Sequence, residues 1–149
     1  MEHQTSSLQV FRVGARHFAV REKEIATVAD WRQPTPLPHA PPAVVGIVSL
    51  QGRMLTVLDL GKITQTDNAG GNGQPRHIIA LRGDEQLALA VDDIAQKFGT
   101  SAAVFEGDAD PSGVTLGSLE FEGERINVVN VKGLFSSAIQ GRERRQRQF

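Results

Sequence analysis

Short apolar runs, each closed by a glycine or a polar turn, dominate the pattern of hydrophobic and polar positions along this chain. Leu8 to Val13 and Phe18 to Val20 flank one glycine-bearing turn, and Val44 to Leu50 and Met54 to Leu60 flank another at Gln51-Gly52. Runs of this length that are rich in Val, Ile, Leu and Phe are typical of β-strands joined by tight turns. The pattern therefore predicts an all-β chain built largely from hairpins.

The hairpin at Gly46 to Leu60 recurs later in the chain, at Gly117 to Val131. In both copies two glycines stand at the same spacing, an apolar run follows the second glycine, and a polar residue precedes the last aliphatic residue. A shorter match aligns Phe11-Arg12-Val13-Gly14 with Ala80-Leu81-Arg82-Gly83 at a similar offset. Because repetition at a fixed spacing indicates a duplicated architecture, we expect a second copy that begins near residue 77.

Duplicated hairpins of this kind favour small barrels or sandwiches. Short twisted strands lose their exposed edges when a sheet closes on itself, and two incomplete barrels bury their remaining apolar flanks against each other. The junction between two such units is predicted to be a groove lined with aliphatic side chains. A groove of that kind is a common docking place for a partner protein.

Polar and proline-rich stretches mark the predicted boundaries of the folded part. We expect residues 1–7 to form a flexible N-terminal arm and residues 140–149 a charged tail, which leaves one domain at 8–139. Prolines at positions 34, 36, 38, 41 and 42 remove backbone donors, so this connection is predicted to cross the fold without joining a sheet interior. Residues 61–75 and 107–113, rich in Gly, Asn and Asp, are predicted loops.

The composition is that of an ordinary globular protein. The chain has 149 residues, 22% of them charged, a formal net charge of −1 and no cysteine. These values argue against a polyelectrolyte binder or a disordered chain and exclude disulfides and thiolate metal sites. No apolar run approaches the roughly 20 residues that span a bilayer, and the N-terminus lacks a signal-peptide pattern. We therefore expect a cytoplasmic protein that does not insert into the membrane.

A search for catalytic or metal-binding patterns finds little. The four histidines are dispersed, and the acidic pairs at 92–93 and at 108 and 110 fit turn capping better than metal binding. The segment from Asp108 lacks the closing glutamate of a calcium loop, since Leu119 stands at that position. The glycines at 70–73 lack the lysine of a phosphate loop, and no serine sits in a nucleophile elbow. We expect no catalytic, cofactor-binding or metal-binding residues, and hence no enzyme.

From about Leu8 to Ile139 the chain resembles the CheW-type adaptor domain of bacterial chemosensory systems, which also occurs in the histidine kinase CheA. The matching segments cover almost the whole chain: Phe11 to Val20, Pro36-Leu37-Pro38 with Pro41, Gly46 to Gly52, Thr56 to Leu60, Val91-Asp92, Gly117, and Ile126 to Val131. The resemblance implies two intertwined five-stranded SH3-like β-barrels with one or two short helices. It also implies a non-enzymatic scaffold that couples the cytoplasmic tip of a methyl-accepting chemoreceptor to the regulatory domain of a CheA-like histidine kinase.

The chain departs from the family pattern at the first hairpin. It has Ser49 where the family has Asn, Gln51 where the family has Arg, and Thr56 where the family has Pro. Loss of an arginine removes a charge-assisted contact worth about 1.5–3 kcal/mol. Arg53 could supply a positive charge from a neighbouring direction, because adjacent strand residues face opposite sides. The residues predicted to contact partners are Trp31, Leu50, Gln51, Arg53, Val57 and Asp59.

Alternative interpretations remain open for these residues and for the function. Leu50 and Val57 also fit a core role, and Trp31 fits either an interface anchor or a cap over the core. The alternative functions are a divergent CheW-like module with a different protein partner and a small-barrel nucleic-acid-binding protein that uses the basic residues at 142–147. The second requires aromatic stacking positions, and the chain has only seven Phe, one Trp and no Tyr, so we expect no nucleic-acid partner.

Overall fold

The computed structural model describes residues 5–64, 74–101 and 114–136, and this part of the chain is mainly strand. Four residues at Leu60–Ile63 form helix α1, a 3₁₀ turn spans Glu22–Glu24, and a further helical segment covers 131–136. The ten strands within the described residues are β1 Thr5–Val13, β2 Arg16–Arg21, β3 Ile25–Asp30, β4 Val44–Leu50, β5 Arg53–Leu58, β6 His77–Leu81, β7 Leu87–Val91, β8 Asp93–Ser101, β9 Thr115–Phe121 and β10 Glu124–Val129.

The strands form two five-stranded sheets that exchange strands between the two repeats. Sheet A has the order β8-β1-β2-β10-β9, and sheet B has the order β3-β6-β7-β5-β4. If each strand of β1–β5 is replaced by its equivalent in β6–β10, and the reverse, the order of one sheet becomes the order of the other. Each sheet therefore takes two strands from one repeat and three from the other. The prediction of an all-β, duplicated and intertwined fold is confirmed.

Neither sheet closes into a barrel, which corrects the expectation of closed barrels. The hydrogen-bonded order of sheet A ends at β8 and β9, and that of sheet B ends at β3 and β4. In sheet B the proline-rich crossing covers one of these edges, since Thr35 forms an isolated bridge with Ile47 of β4. A backbone with so few donors pairs at single points and cannot extend the ladder. The crossing thus covers the open edge without closing it.

The repeat is offset by one residue from the sequence alignment in its first strand. Val10 pairs with Ala19, as Ala80 pairs with Ala88. Ala19 in turn pairs with Val128, and Ala88 pairs with Val57, which is the equivalent of Val128 in the first hairpin. Ala80 is therefore the equivalent of Val10, whereas the sequence alignment matched it to Phe11. The β1–β2 and β6–β7 turns differ in length by one residue, and a comparison of apolar residue types in the sequence does not detect this difference.

Three layers of apolar side chains lie within and between the sheets. The central cluster joins both sheets and includes Phe11 and Phe18 from sheet A and Ile79 and Leu89 from sheet B. A second cluster covers the outer face of sheet B, and a third covers the outer face of sheet A. Successive residues of a strand point to opposite faces of the sheet, so a strand that contributes to two of these clusters is buried on both faces. The shared central layer makes the two sheets one folded unit.

Gly46 lies where the crossing passes directly over β4. The Thr35 N–H donates to the Ile47 carbonyl at 2.8 Å, and the Ile47 N–H donates to the Thr35 carbonyl at 2.9 Å. A Cβ atom on Gly46 would lie 2.8 Å from the carbonyl carbon of Thr35 and even closer to its oxygen. No side chain fits there, so the first glycine of the repeated hairpin serves a close backbone approach.

Candidate protein-interaction site

The turn of the first hairpin has the backbone geometry that its sequence predicts. Gln51 and Gly52 have φ values of 51° and 79°, and their equivalents Glu122 and Gly123 have values of 55° and 81°. Two consecutive positive φ angles define the turn class whose twist matches that of the adjoining strands. Both turns are exposed. Each hairpin therefore presents its turn residue to solvent in the same orientation relative to its strands.

The exposed end of the first hairpin carries positive charge and an exposed apolar side chain at adjacent strand positions. We define the first-hairpin tip as Arg32, Gln51, Arg53 and Met54. Met54 is 60% exposed, and no hydrogen bond or ion pair joins the exposed Arg53 side chain to another described residue. Arg32 comes from the crossing and donates from Nη1 to the carbonyl oxygen of Ser49 at 2.9 Å. This arrangement fits a partner surface that combines carboxylates with apolar groups.

Two of the predicted contact residues, Leu50 and Val57, belong to the core. Leu50 is 5% exposed and Val57 is fully buried. Both are part of the cluster on the outer face of sheet B, and Trp31 packs against that cluster with its side chain half-buried. Successive residues of a strand face opposite sides, so the hairpin that exposes Met54 turns Leu55 and Val57 inward. The structure thus gives Leu50 and Val57 the core position that their sequence also fits, and it packs Trp31 against the same cluster.

Asp59 has a local structural role. Its Oδ1 accepts the backbone N–H of Gly61 at 2.9 Å and that of Lys62 at 3.4 Å, so it caps the first turn of α1. The short helix forms although Gly61 lies within it, because the Asp59 side chain satisfies donors that would otherwise lack partners. The Asp59 carboxylate is therefore occupied within its own chain.

The acidic pair at 92–93 also has internal partners. Gly14 N–H donates to Asp92 Oδ2 at 3.1 Å, and Arg12 Nη2 donates to Asp93 Oδ2 at 3.1 Å. Asp92 is 5% exposed and caps the turn between β1 and β2. In the described residues no group of three or more His, Cys, Asp or Glu could hold a metal ion. The pair at Asp108 and Asp110 lies outside the described residues.

A second concave surface lies where the two sheets meet. A pocket of about 350 Å³ is bounded by the 3₁₀ turn that leads from sheet A to sheet B, by the β6–β7 turn, and by the start of the 131–136 helix. Its charged residues are Glu24, Arg82, Asp84, Glu85 and Lys132. The aliphatic groove expected between the two units is occupied by the central apolar cluster. Within the described residues, a pocket of mixed charge lies at this boundary.

The sequence predicted Gln51 and Arg53, which the structure exposes, and it did not single out Arg32 and Met54, which are exposed at the same hairpin end. Met54 follows the turn and begins an apolar run, so a pattern of apolar letters places it in the core. Arg32 reaches the hairpin only because the crossing runs antiparallel to β4, opposite Ser49. Alternation along β5 places the Met54 side chain on the face opposite Leu55 and Val57, and its position next to the turn leaves it exposed.

Comparison with known proteins places this geometry in a family. The model of the CheW-like domain matches residues 7–139. The chain is 27% identical over 135 residues to "Chemotaxis protein CheW" of Rhizobium meliloti (strain 1021), covering 87% of each chain. It is 22% identical over 134 residues to "Probable chemotaxis protein CheW" of Rhizobium etli, covering 87% of this chain and 86% of that protein. A match to "Chemotaxis protein CheW" of Bacillus subtilis is 26% identical over 84 residues and covers 56% of this chain and 54% of that protein.

The fold is also that of a solved structure. The scaffolding protein TtCheW from Thermoanaerobacter tengcongensis superimposes with a TM-score of 0.72 at 19% identity, over 86% of each chain. In the described residues no helix is long and apolar enough to cross a membrane. Since the family model spans all but the ends of the sequence and the exchanged sheets match a solved member, the chain belongs to the CheW-like domain family.

Proposed function

We propose that this protein is a non-enzymatic adaptor that couples chemoreceptors to a CheA-like histidine kinase in bacterial chemosensory signalling. The family membership and the relatives named for chemotaxis support this function. The observation that carries the proposal is the first-hairpin tip, an exposed cationic and apolar surface on a rigid hairpin. The carboxylates of Asp59 and Asp92 already accept hydrogen bonds from backbone N–H groups of other residues in the same chain. A cytoplasmic location, at the inner side of receptor arrays, follows from this role.

The kinase contact is placed at the first-hairpin tip. CheA-like kinases end in a domain of the same family, so the two proteins offer each other surfaces of similar shape. Arg53 has no partner within the described residues and retains its full capacity to pair with a carboxylate, while the exposed Met54 contributes apolar area at the next position, on the other face of the hairpin. A partner that encloses the end of the hairpin contacts both faces and so meets a charged group and an apolar group, as in other transient interfaces.

The receptor contact is placed at the pocket between the sheets. Receptor tips are helical, and a helix recognises a groove by a row of anchors spaced along one face. The pocket is lined by the basic residues Arg82 and Lys132 and by acidic residues that include Glu24 and Asp84. A helix that carries both charge signs fits this lining better than a wholly apolar one.

The two alternatives receive less support. A nucleic-acid-binding module needs several exposed aromatic residues, whereas Trp31 packs on a core cluster and Phe135 is the aromatic residue that the described part of the chain exposes. A divergent CheW-like module with another protein partner would use the same surface, and the experiment below separates it from the proposed adaptor.

Binding of the purified protein to the regulatory domain of a CheA-like kinase from the same organism tests the proposal. By isothermal titration, Arg53→Glu is expected to weaken binding at least about tenfold, the effect of reversing one close charge pair. Lys23→Glu is the matched control, because it changes the net charge equally at an exposed position in the 3₁₀ turn. Equal affinity of Arg53→Glu and wild type would disprove the kinase contact. Absence of any binding by the wild-type protein would disprove the adaptor function for that kinase.

A further inference from the structure

The two connections that carry the chain from one sheet to the other are equivalent in the repeat. The 3₁₀ turn Glu22–Glu24 joins β2 to β3, and Asp92 joins β7 to β8. Each connection is hydrogen-bonded beside a turn of the other repeat: Asp92 N–H donates to the Arg12 carbonyl at 2.8 Å, and Arg82 N–H donates to the Glu24 carbonyl at 2.9 Å. Asp92 and Glu24 are thus acidic residues in equivalent places.

The two acidic side chains differ in their hydrogen-bond partners. Asp92 Oδ2 accepts the backbone N–H of Gly14. The Glu24 side chain is 20% exposed, yet its Oε1 is closed to solvent and accepts no hydrogen bond from a described residue. Arg21 Nη1 lies 4.0 Å from the other oxygen, Oε2, which is too long for a hydrogen bond. Because buried oxygens without a donor are rare in folded proteins, Glu24 Oε1 indicates a donor that comes from another molecule.

The space beside Glu24 is open. Glu24 lines the pocket of about 350 Å³ at the boundary of the sheets, together with the β6–β7 turn. A Cβ atom on Gly83, in that turn, would meet nothing within 4 Å beyond its neighbours in the chain. The β6–β7 turn therefore does not close over Glu24 as the β1–β2 turn closes over Asp92.

The cations that line the same pocket leave the Glu24 carboxylate unpaired. Arg82 Nε donates instead to the carbonyl oxygen of Ile25 at 3.2 Å, and Lys132 forms no ion pair with a described residue. The carboxylates of Glu24, Asp84 and Glu85 outnumber these two cations. The lining thus has a net negative charge, which favours a further cation.

We propose that a basic side chain of the chemoreceptor tip, a lysine or an arginine, enters this pocket and donates to the Glu24 carboxylate. The inference rests on the proposed receptor contact at the pocket and names the chemical group that this contact recognises. The volume lies within the range of pockets that bind ligands, and rotation about the last torsion of Glu24, which is broad, turns either oxygen toward a donor. A water molecule also supplies a donor, but it leaves the negative charge of the lining uncompensated.

Such a carboxylate makes the contact selective among receptors. A site built around a polar group discriminates against a partner that leaves that group unpaired. We therefore expect the protein to bind a receptor tip with a basic residue at the matching place more tightly than one with a neutral or acidic residue there.

Titration of the purified protein with the cytoplasmic domain of a methyl-accepting chemoreceptor from the same organism is the first test. Glu24→Gln keeps the size of the side chain and removes its charge, so receptor affinity should fall at least about tenfold, as for loss of one hydrogen bond to a charged group. Glu85→Gln is the matched control, because it removes the same charge from an exposed residue of the same pocket, and less than about a threefold change is expected. Equal affinity of Glu24→Gln and the wild type would overturn the proposal and leave water as the donor to Oε1.

Thermal unfolding separates a role in binding from a role in folding. Glu24 Oε1 accepts no hydrogen bond within the described residues, so Glu24→Gln should unfold within about 2 °C of the wild type. A Glu24→Gln variant that loses stability together with receptor affinity would assign Glu24 to the fold and contradict the proposal.

Reversal of the charge identifies the receptor residue. Glu24→Arg should weaken receptor binding more than Glu24→Gln does, because it places two cations against each other. With each lysine or arginine of the receptor tip changed to glutamate in turn, one receptor variant should bind Glu24→Arg at least about tenfold more tightly than the unchanged receptor does. Restoration by none of these receptor variants would contradict a direct contact with a basic side chain.

Failure of this inference and failure of the adaptor function give different results. Glu24 lies outside the first-hairpin tip, so kinase affinity should be unchanged in Glu24→Gln. A wild-type protein that binds no chemoreceptor would disprove the receptor contact itself. Wild-type binding that is insensitive to every change at Glu24 would disprove the basic side chain and leave the adaptor function standing.

Discussion

The Asp92 carboxylate accepts the backbone N–H of Gly14 at 3.1 Å, so that a residue of the second repeat holds the β1–β2 turn of the first. Asp92 is the single residue between β7 in sheet B and β8 in sheet A. Its own N–H donates to the Arg12 carbonyl at 2.8 Å. The point where the chain passes between the sheets is therefore fixed to the β1–β2 turn by two hydrogen bonds that involve one residue.

Replacement of Asp92 should destabilise the fold without a change in exposed charge pattern at either hairpin. Asp92→Ala leaves the Gly14 donor without its partner in a part-buried place, and we expect a loss of about 1–3 kcal/mol in the free energy of unfolding. Urea denaturation followed by circular dichroism measures it. Asp93→Ala is the control: that side chain is exposed and pairs with Arg12 at the surface, so less than about 1 kcal/mol is expected. Equal losses for the two variants would contradict the assigned role.

Gly46→Ala should be among the most damaging small substitutions in the chain. The added methyl group overlaps the Thr35 backbone and touches Pro34 Cβ at 3.0 Å, and the positive φ adds strain, so about 3 kcal/mol or more is expected. Gly123→Ala is the control, because its Cβ meets nothing within 4 Å and only the backbone term of about 1–2 kcal/mol remains. Thermal unfolding of both variants measures the difference, and an equal effect would show that the crossing yields to the methyl group.

The sequence predicted the hairpins and their duplication because the physical demands at those positions are local. Gly52 must adopt a positive φ, as Gly123 does in the second copy, and Gly46 must admit a passing backbone. The exchange of strands between the two sheets could not be predicted from such local patterns. Parallel pairing of β2 with β10, such as Phe18 with Asn127, joins segments about a hundred residues apart, and each is apolar enough to sit beside any other strand.

The part of the candidate site that lies at the hairpin turn could be predicted from the sequence, because turns have recognisable sequence patterns. A Gln-Gly turn between apolar runs places Gln51 and Arg53 in solvent, and the structure has them there. Leu50 adjoins the same turn, yet alternation turns it inward, so closeness to a turn in sequence does not give exposure. Arg32 could not be placed, because its position beside Ser49 depends on the path of the proline-rich crossing.

The two sheets should unfold together. Only the three-residue turn Glu22–Glu24 and the single residue Asp92 connect them where the chain passes from β2 to β3 and from β7 to β8, and the central cluster draws on both sheets. Trp31, the one tryptophan, packs on sheet B, whereas far-ultraviolet circular dichroism reports both sheets. We expect the urea midpoints from tryptophan fluorescence and circular dichroism to coincide, as for a two-state domain. A fluorescence transition that precedes the other would show sheet B unfolding on its own.

Two neighbouring apolar residues at the first hairpin should separate stability from binding. Leu50→Ala removes a buried side chain and is expected to lower the free energy of unfolding by about 2–5 kcal/mol. Met54→Ala removes an exposed side chain, so its effect on stability should stay within about 0.5 kcal/mol, while kinase affinity should fall if the first-hairpin tip is the contact. Measuring unfolding and kinase binding for both variants, with binding at a temperature where each is fully folded, gives the comparison. Reduced affinity of folded Leu50→Ala with unchanged affinity of Met54→Ala would reverse the assignment and move the contact from the tip to the core-facing side of the hairpin.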